Sequence, residues 1–260
     1  MYIRVGKKTG QVMVVLVTAS ESFPASKTYV DALTKKFPEI KTILHNINKN
    51  KTSMVLGDVE KVLFGPGYIE DELCGIMFEI SSKSFYQVNP VQTEKLYQTA
   101  VDFAELTGQE TALDAYCGIG TISLVAAKHA KKVIGVELNR TAVQDAKKNA
   151  KKNQCNNVEF LDGDAGEYMV KLAGMVKNTE ACPDVVFMDP PRSGSDANFI
   201  NALAKLGPKK VVYISCNPVT QKTDVEMLKK RGYRVKRMQA VDCFCHTYHV
   251  ENIILLQKDK

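Results

Sequence analysis

No stretch of this sequence is apolar for long enough to cross a membrane. Runs such as Val12 to Val17 fall far short of the ~20 residues that a bilayer requires. The first residues, Met1-Tyr-Ile-Arg4, lack the basic, apolar and small-residue regions of a signal peptide, so the chain reads as cytoplasmic. There is no CxxC pair. The seven cysteines (74, 117, 155, 182, 216, 243 and 245) are odd in number and scattered, which supports neither a zinc knuckle nor a disulfide framework. Repeats, low-complexity tracts and long linkers are also lacking. What remains is an ordinary globular composition: 260 residues, 45% hydrophobic and 25% charged. That is enough chain to bury a proper core without a metal or disulfide staple.

The net charge of +6 is unevenly spread. The window Lys205–Arg237 holds ten Lys/Arg against Asp224 and Glu226, a local +8, and the rest of the chain is slightly acidic. Such a concentration suits a phosphate backbone, and on composition alone it equally suits a solvated lysine-rich helix face.

Two organisations follow each other along the chain. Residues 1–84 read as a small α+β domain with mainly antiparallel pairing. It has a strand at 11–17, a helix at 26–37 capped by Ser26, and further strands at 42–48, 52–56, 60–64 and 75–81. From 85 to 260 strands and helices alternate: helix 90–106 opened by Pro90, then strand 111–116, helix 121–130, strand 132–137 and helix 141–152. Strand 157–161, helix 165–176, strand 184–188, helix 196–206, strand 210–215 and helix 219–231 continue the series. This alternation predicts an α/β fold, Rossmann-like, with a doubly wound, mostly parallel seven-stranded sheet. The final strands, 233–241 and 248–257, have no helix between them, so one of them runs antiparallel.

The chemistry-bearing residues fall at the carboxyl ends of those strands, where open α/β sheets bind ligands. Asp114-Ala-Tyr-Cys-Gly-Ile-Gly120 joins the first strand to a helix, and its glycines permit close approach of a ligand to the backbone. Glu137 closes the second strand, where an acid can accept both ribose hydroxyls of an adenosine. Asp164 follows the third strand and meets the adenine edge; Asp189-Pro-Pro-Arg192 follows the fourth. A nicotinamide dinucleotide fold would need a third glycine where Ser123 stands. The ordered set resembles the class I S-adenosylmethionine-dependent methyltransferases. Exocyclic-amine methylating relatives carry an aromatic after Asp-Pro-Pro, where this chain has Arg192. RNA cytosine-C5 relatives carry a cysteine directly after that proline, and this chain does not.

A cysteine does stand one strand later, in Tyr213-Ile-Ser-Cys216-Asn-Pro218, at the entrance to a helix. There the helix dipole is expected to favour the thiolate. Glu251 interrupts an otherwise apolar strand. Taken alone it reads as a solvent-facing glutamate on an edge strand; buried, its pKa would rise toward the range useful for proton transfer.

Phe85-Tyr-Gln-Val-Asn-Pro90, the Asp114–Gly120 turn, Asp189-Pro-Pro-Arg192, Ser215-Cys-Asn-Pro218 and His246-Thr-Tyr-His-Val-Glu251 occur in that order. The set resembles the RNA uracil-C5 methyltransferases, which form 5-methyluridine in ribosomal and transfer RNA, and the resemblance spans essentially the whole chain. It implies S-adenosyl-L-methionine as methyl donor and RNA as partner, 23S rRNA first with tRNA as the alternative acceptor, with no membrane and no obligate protein partner. It further implies Cys216 as the nucleophile toward uracil C6 and Glu251 as the base that removes the C5 proton. Gln87, Tyr116, Glu137 and Asp189 match positions lining the donor site, Gln87 and Asp189 facing the uracil as well, and Asp164 contacts the adenine. Arg192 is left between touching RNA phosphate and bracing the Asp189 loop. Many relatives begin with a β-barrel RNA-binding domain and some carry iron–sulfur cysteines upstream; neither is expected within these 260 residues. No metal is expected at Cys243-Phe-Cys245, since alternate residues of a strand face opposite ways. A reading from another class is an RNA-binding module that keeps the fold without turnover; a small-molecule methyltransferase fits the basic window less well.

Overall fold

Strands that read as unbroken apolar runs form the centre of a seven-stranded sheet in the computed structural model, which describes residues 1–50, 52–175 and 182–259. The chain divides into two units, Met1–Tyr86 and Gln87–Lys260. No helix among the described residues is long and apolar enough to cross a membrane.

In the first unit, β1 (Tyr2–Val5), β2 (Val12–Thr18), β3 (Ile40–Ile47) and β4 (Val59–Phe64) form one sheet in chain order, and β5 (Tyr68–Leu73) pairs with β6 (Ile76–Ser81) as a hairpin. Pairing is antiparallel except between β2 and β3, which α1 (Ser26–Lys36) connects in a parallel crossover. Ser26 is not the N-cap of α1: Ala25 holds that place, without a side-chain bond. The strand expected at 52–56 is absent. Asparagine side chains satisfy the backbone there instead of a ladder. Asn48 Nδ2 donates to Met54 O (2.8 Å) and Val55 O (3.1 Å), while Asn46 exchanges bonds with Gly57 N and O. Conversely, β1 and β5 are strands that the pattern did not flag. Glu70, Asp71 and Glu72 disguise β5, whose Ile69, Asp71 and Leu73 are nevertheless buried. Asp71 Oδ1 earns its burial by accepting from Lys8 N at 2.8 Å.

The second unit opens with α2 (Pro90–Ala104), whose Asn89 side chain caps the helix by accepting from Gln92 N. Alternation then follows: β7 (Thr111–Asp114), α3 (Thr121–Ala127), β8 (Lys132–Glu137), α4 (Arg140–Lys152), β9 (Val158–Asp162), α5 (Ala165–Met175), β10 (Val185–Met188), α6 (Ala197–Leu206), β11 (Lys210–Ser215) and α7 (Pro218–Lys229). Two strands end the chain, β12 (Tyr233–Val241) and β13 (Glu251–Lys258). Residue 176, the last of the expected 165–176 helix, lies outside the described residues. The final strand begins at Glu251 rather than 248, so Cys243 and Cys245 sit in a turn, not on a strand.

Strand order is β12-β13-β11-β10-β7-β8-β9. The strands β7 to β11 are mutually parallel, and β13 runs antiparallel to both β11 and β12. This is the doubly wound, Rossmann-like α/β sheet expected from the alternation. Its central strands are covered on both faces: all four residues of β10 are buried, as are Val211, Val212, Tyr213 and Ile214 of β11 and Ile253 to Leu256 of β13. Each such side chain contributes about 1.5–3 kcal/mol by leaving water. Chain order reverses between β7 and β10, which leaves a crevice beyond their carboxyl ends.

Candidate active site

Three loops border that crevice, one after each of β7, β8 and β10. Asp114 ends β7 fully buried, and its Oδ2 accepts from Ser123 Oγ at 2.6 Å. Burial pushes its carboxyl up to about 6, against the pull of that hydrogen bond. The two glycines that follow have different reasons to be glycine. At Gly120 (φ +86°) a Cβ would come within 2.8 Å of the Phe160 ring. At Gly118 (φ +53°) a Cβ would meet nothing within 4 Å, so the backbone there faces open space that a ligand can approach. Glu137, at the end of β8, spans this turn: Oε2 accepts from Gly118 N (3.1 Å) and Oε1 from Asn139 N (2.8 Å). Each oxygen keeps a lone pair, the arrangement needed to accept a vicinal diol.

Tyr116 crosses from the β7 loop to the β10 loop. Its hydroxyl lies 3.2 Å from Ser195 Oγ and its ring packs on Phe199, and burial pushes the phenol up to about 12. Asp164 is exposed, accepts from Glu167 N at 2.9 Å, and lines a cavity of about 360 Å³ together with Gly166, Val170, Asp196 and Asn198. The Asp164 and Asp196 carboxylates converge on Gly166, so the site has a second acid that the sequence reading treated only as part of a helix start. A larger cavity of about 820 Å³ lies along β9, lined by Lys131, Lys132 and Lys147. Its one acid, Glu159, is tied up in an exposed ion pair with Lys132 (2.8 Å), and the cavity lies away from the carboxyl ends of β7, β8 and β10.

A second cluster adjoins the first. Cys216 follows β11 and Glu251 opens β13. Ser215 pairs with Asn252 in the antiparallel register, so the next step outward sets Cys216 opposite Glu251 on one face. Glu251 is buried (3% exposed), because β13 is an interior strand flanked by β11 and β12. The solvent-facing edge reading is thereby excluded. Burial raises its carboxyl, with Arg192 pulling the other way. Asp189 is pushed well above the carboxylate range, first by burial, then by Glu251 and Asp114. Tyr97, on α2, brings Gln87 into the group: its buried hydroxyl bonds Gln87 and faces Asp189 and Asp114.

The thiol of Cys216 departs from expectation. Its pKa is raised, not lowered, by burial and then by Glu251; the hydrogen bond and charge of Arg192 oppose this. The helix start contributes little because Pro218 has no N–H and the Asn217 side chain already serves Val219 N (3.2 Å). Arg192 therefore faces Cys216 and Glu251 with its guanidinium. Its carbonyl is held by Asn217 Nδ2 (2.9 Å) and Thr220 Oγ1 (3.2 Å). Tyr97 was not singled out by the sequence, which offers there only a helix over 90–106. Among the described residues no group of three or more His, Cys, Asp or Glu is placed to hold a metal ion.

The site predicts a pH effect. The folded Asp114 binds a proton more tightly than in the unfolded chain, so between pH ~4 and ~6 folding takes up protons. Stability from this group then declines as pH rises through that window, by roughly 3 kcal/mol in all. Asp114→Asn is expected to melt progressively higher than wild type from pH 4 to pH 7, measured by calorimetry. A constant difference across that range would remove the desolvation assigned here.

A doubly wound sheet with these acids at its carboxyl edge has the build of the S-adenosylmethionine-dependent methyltransferases, and the solved structures it resembles are of that class. A tRNA (uracil-54, C5)-methyltransferase of Pyrococcus abyssi, solved with S-adenosyl-L-homocysteine, superposes with a TM-score of 0.81 at 30% identity. It covers 98% of this chain and 58% of that one. A tRNA m1G37 methyltransferase of M. jannaschii, 16% identical with a TM-score of 0.60, shares the fold. The chain belongs to the tRNA (uracil-5-)-methyltransferase family, whose model matches residues 11–259. Uncharacterized RNA methyltransferases of Halalkalibacterium halodurans and Clostridium acetobutylicum are each 46% identical over 98% of the chain. The chain spans 55% of the length of these relatives.

Proposed function

We propose that this chain forms 5-methyluridine in RNA, taking large-subunit (23S) rRNA as acceptor and S-adenosyl-L-methionine as methyl donor. The observation that carries the reading is the setting of Cys216 against buried Glu251, beside Asp189 and one loop from the Glu137–Gly118 turn. The donor set fits: Glu137 offers two oxygens to a ribose, Gly118 leaves open space, and Asp164 lines a cavity of adenine-edge character, with Tyr116 and Gln87 toward the reacting end. The P. abyssi relative's S-adenosyl-L-homocysteine supports the same reading.

Uracil C5 is a weak nucleophile, and addition at C6 makes it carbanion-like. Cys216 thiolate adds to C6, forming an S–C bond and an enolate across C4–C5. When bound, S-adenosyl-L-methionine supplies an electrophilic methyl group for C5. Glu251 then takes the proton from C5, and elimination breaks the S–C6 bond and restores the thiolate. Gln87 donates to the uracil ring, and Asp189, whose carboxyl burial, Glu251 and Asp114 bias toward the neutral form, lies beside it. Arg192 stabilises negative charge on sulfur and shares the Cys216–Glu251 space. A protonated Glu251 cannot take a proton, so release is expected to quicken with rising pH through its raised pKa.

Two experiments test this. Incubation with 5-fluorouridine-substituted 23S rRNA and tRNA transcripts plus the donor should leave a covalent adduct on Cys216, since fluorine cannot leave as a proton does. An adduct on tRNA alone would replace the acceptor. No adduct on either, with donor binding intact, would favour the RNA-binding module without turnover. Separately, Glu137→Ala should weaken donor binding about 10- to 100-fold by calorimetry, the worth of charge-assisted hydrogen bonds to two hydroxyls. Unchanged affinity would remove Glu137 from the ribose.

A further inference from the structure

Helix α7 presents two buried polar side chains to an otherwise apolar interface. Gln221, 1% exposed, donates from Nε2 to Tyr213 O (3.1 Å) and to Asn252 O (3.1 Å), and its Oε1 accepts from Asn252 Nδ2 (2.7 Å). One turn on, Asp224 Oδ2 accepts from the Tyr213 hydroxyl (2.7 Å) and from Ser195 N (2.9 Å). Around them Val225, Leu228, Ile254 and Leu256 belong to one buried apolar cluster. A leucine would fill the place of Gln221 without the desolvation that an amide incurs, so the amide has a different use.

Its position supplies that use. Tyr213 lies three residues before Cys216 on β11, and Asn252 is the residue after Glu251 on β13. Gln221 thus bonds both strands within one turn of their catalytic ends, and the pair closes a ring of hydrogen bonds across the β11–β13 seam. We propose that Gln221 and Asn252 form a positioning clamp that sets the separation of Cys216 and Glu251. The proposal rests on the uracil-C5 reading for its catalytic meaning but not for its geometry. Neither residue touches the reacting atoms; each acts through the strand end it holds. The groups facing Cys216 are Glu251, Arg192 and Asp189, so a shift of Glu251 is registered by the thiol itself.

The test uses the full chain with Gln221→Leu and the double variant Gln221→Leu/Asn252→Val. The single variant strands the buried Asn252 amide and should melt lower; the double variant removes that amide as well, leaving only the two carbonyls without the Gln221 donor, and should recover part of the lost melting temperature. Cys216 alkylation by iodoacetamide, resolved by peptide mass spectrometry, is followed against pH at a temperature where both variants are folded. With the clamp gone, Glu251 is free to move away, and the alkylation midpoint should fall by about half a pH unit or more. With 23S rRNA and tRNA transcripts and tritiated S-adenosyl-L-methionine, kcat should drop about tenfold or more in the double variant while KM for the donor stays unchanged. A double variant with the wild-type alkylation profile and wild-type kcat makes the pair a structural seal and overturns the clamp. Should wild-type protein methylate neither transcript, the uracil-C5 reading fails by that result. The clamp is then decided by the alkylation profile alone: a shifted midpoint supports it and an unmoved one overturns it.

Discussion

Cys216→Ala is expected to reduce methyl transfer to RNA by at least about 10⁴-fold, because without an S–C6 bond C5 never gains the electron density to take a methyl group. Donor affinity should stay within about twofold, since Glu137, Gly118 and Asp164 lie on other loops and none depends on the thiol. The substitution removes one sulfur from a half-buried position at a strand end, so the fold tolerates it. The contrast between lost chemistry and retained donor binding, measured by tritium transfer and calorimetry, is the signature sought. Transfer persisting above a hundredth of the wild-type rate would make the covalent route wrong. The raised thiol sharpens the expectation: with burial and Glu251 against the thiolate, wild-type transfer should quicken as pH rises toward the thiol's pKa.

Glu251→Gln should separate the two halves of the cycle. The amide is nearly isosteric and keeps the register of β13 with β11, but it cannot accept the C5 proton. Methylated RNA is expected to remain bonded to Cys216, visible as a donor-dependent adduct on a denaturing gel with ordinary uridine. Turnover should fall roughly 10²- to 10⁴-fold. A second consequence follows from the electrostatics. After burial itself, Glu251 is the largest influence raising the thiol, so its neutralisation should lower the alkylation midpoint of Cys216 even as product release stalls. Full turnover by this variant would remove Glu251 from its role, and an unmoved midpoint would separate it from Cys216.

The sheet and its site were legible to different depths. Val185–Met188 and Lys210–Ser215 announce themselves as buried parallel strands because nothing polar interrupts them, and the acids at their ends can be located by counting. Glu251 was ambiguous by itself: a glutamate before an apolar run fits an edge as well as an interior, and only the insertion of β13 between β11 and β12 decides. β5 was hidden because Asp71 is a buried acid serving backbone amides of a distant loop, a contact no local pattern encodes. The strand expected at 52–56 gave way to asparagine side chains that compete for the same backbone groups. The thiol's environment was misjudged because a helix start is visible in sequence, whereas the carboxylate facing it comes from a later strand.

That interior placement of β13 also orders events during synthesis. Cys216 and the loops after β7, β8 and β9 emerge before the strand that carries Glu251, and that strand must seat between β11 and β12, which precede it in the chain. Until it does, Cys216 lacks the carboxylate that faces it and the sheet has an open seam. On the proposed mechanism, a copy lacking that strand would have no base for the C5 proton and a gap inside its sheet. The last strand in the chain thus both closes the sheet and brings Glu251 to face Cys216.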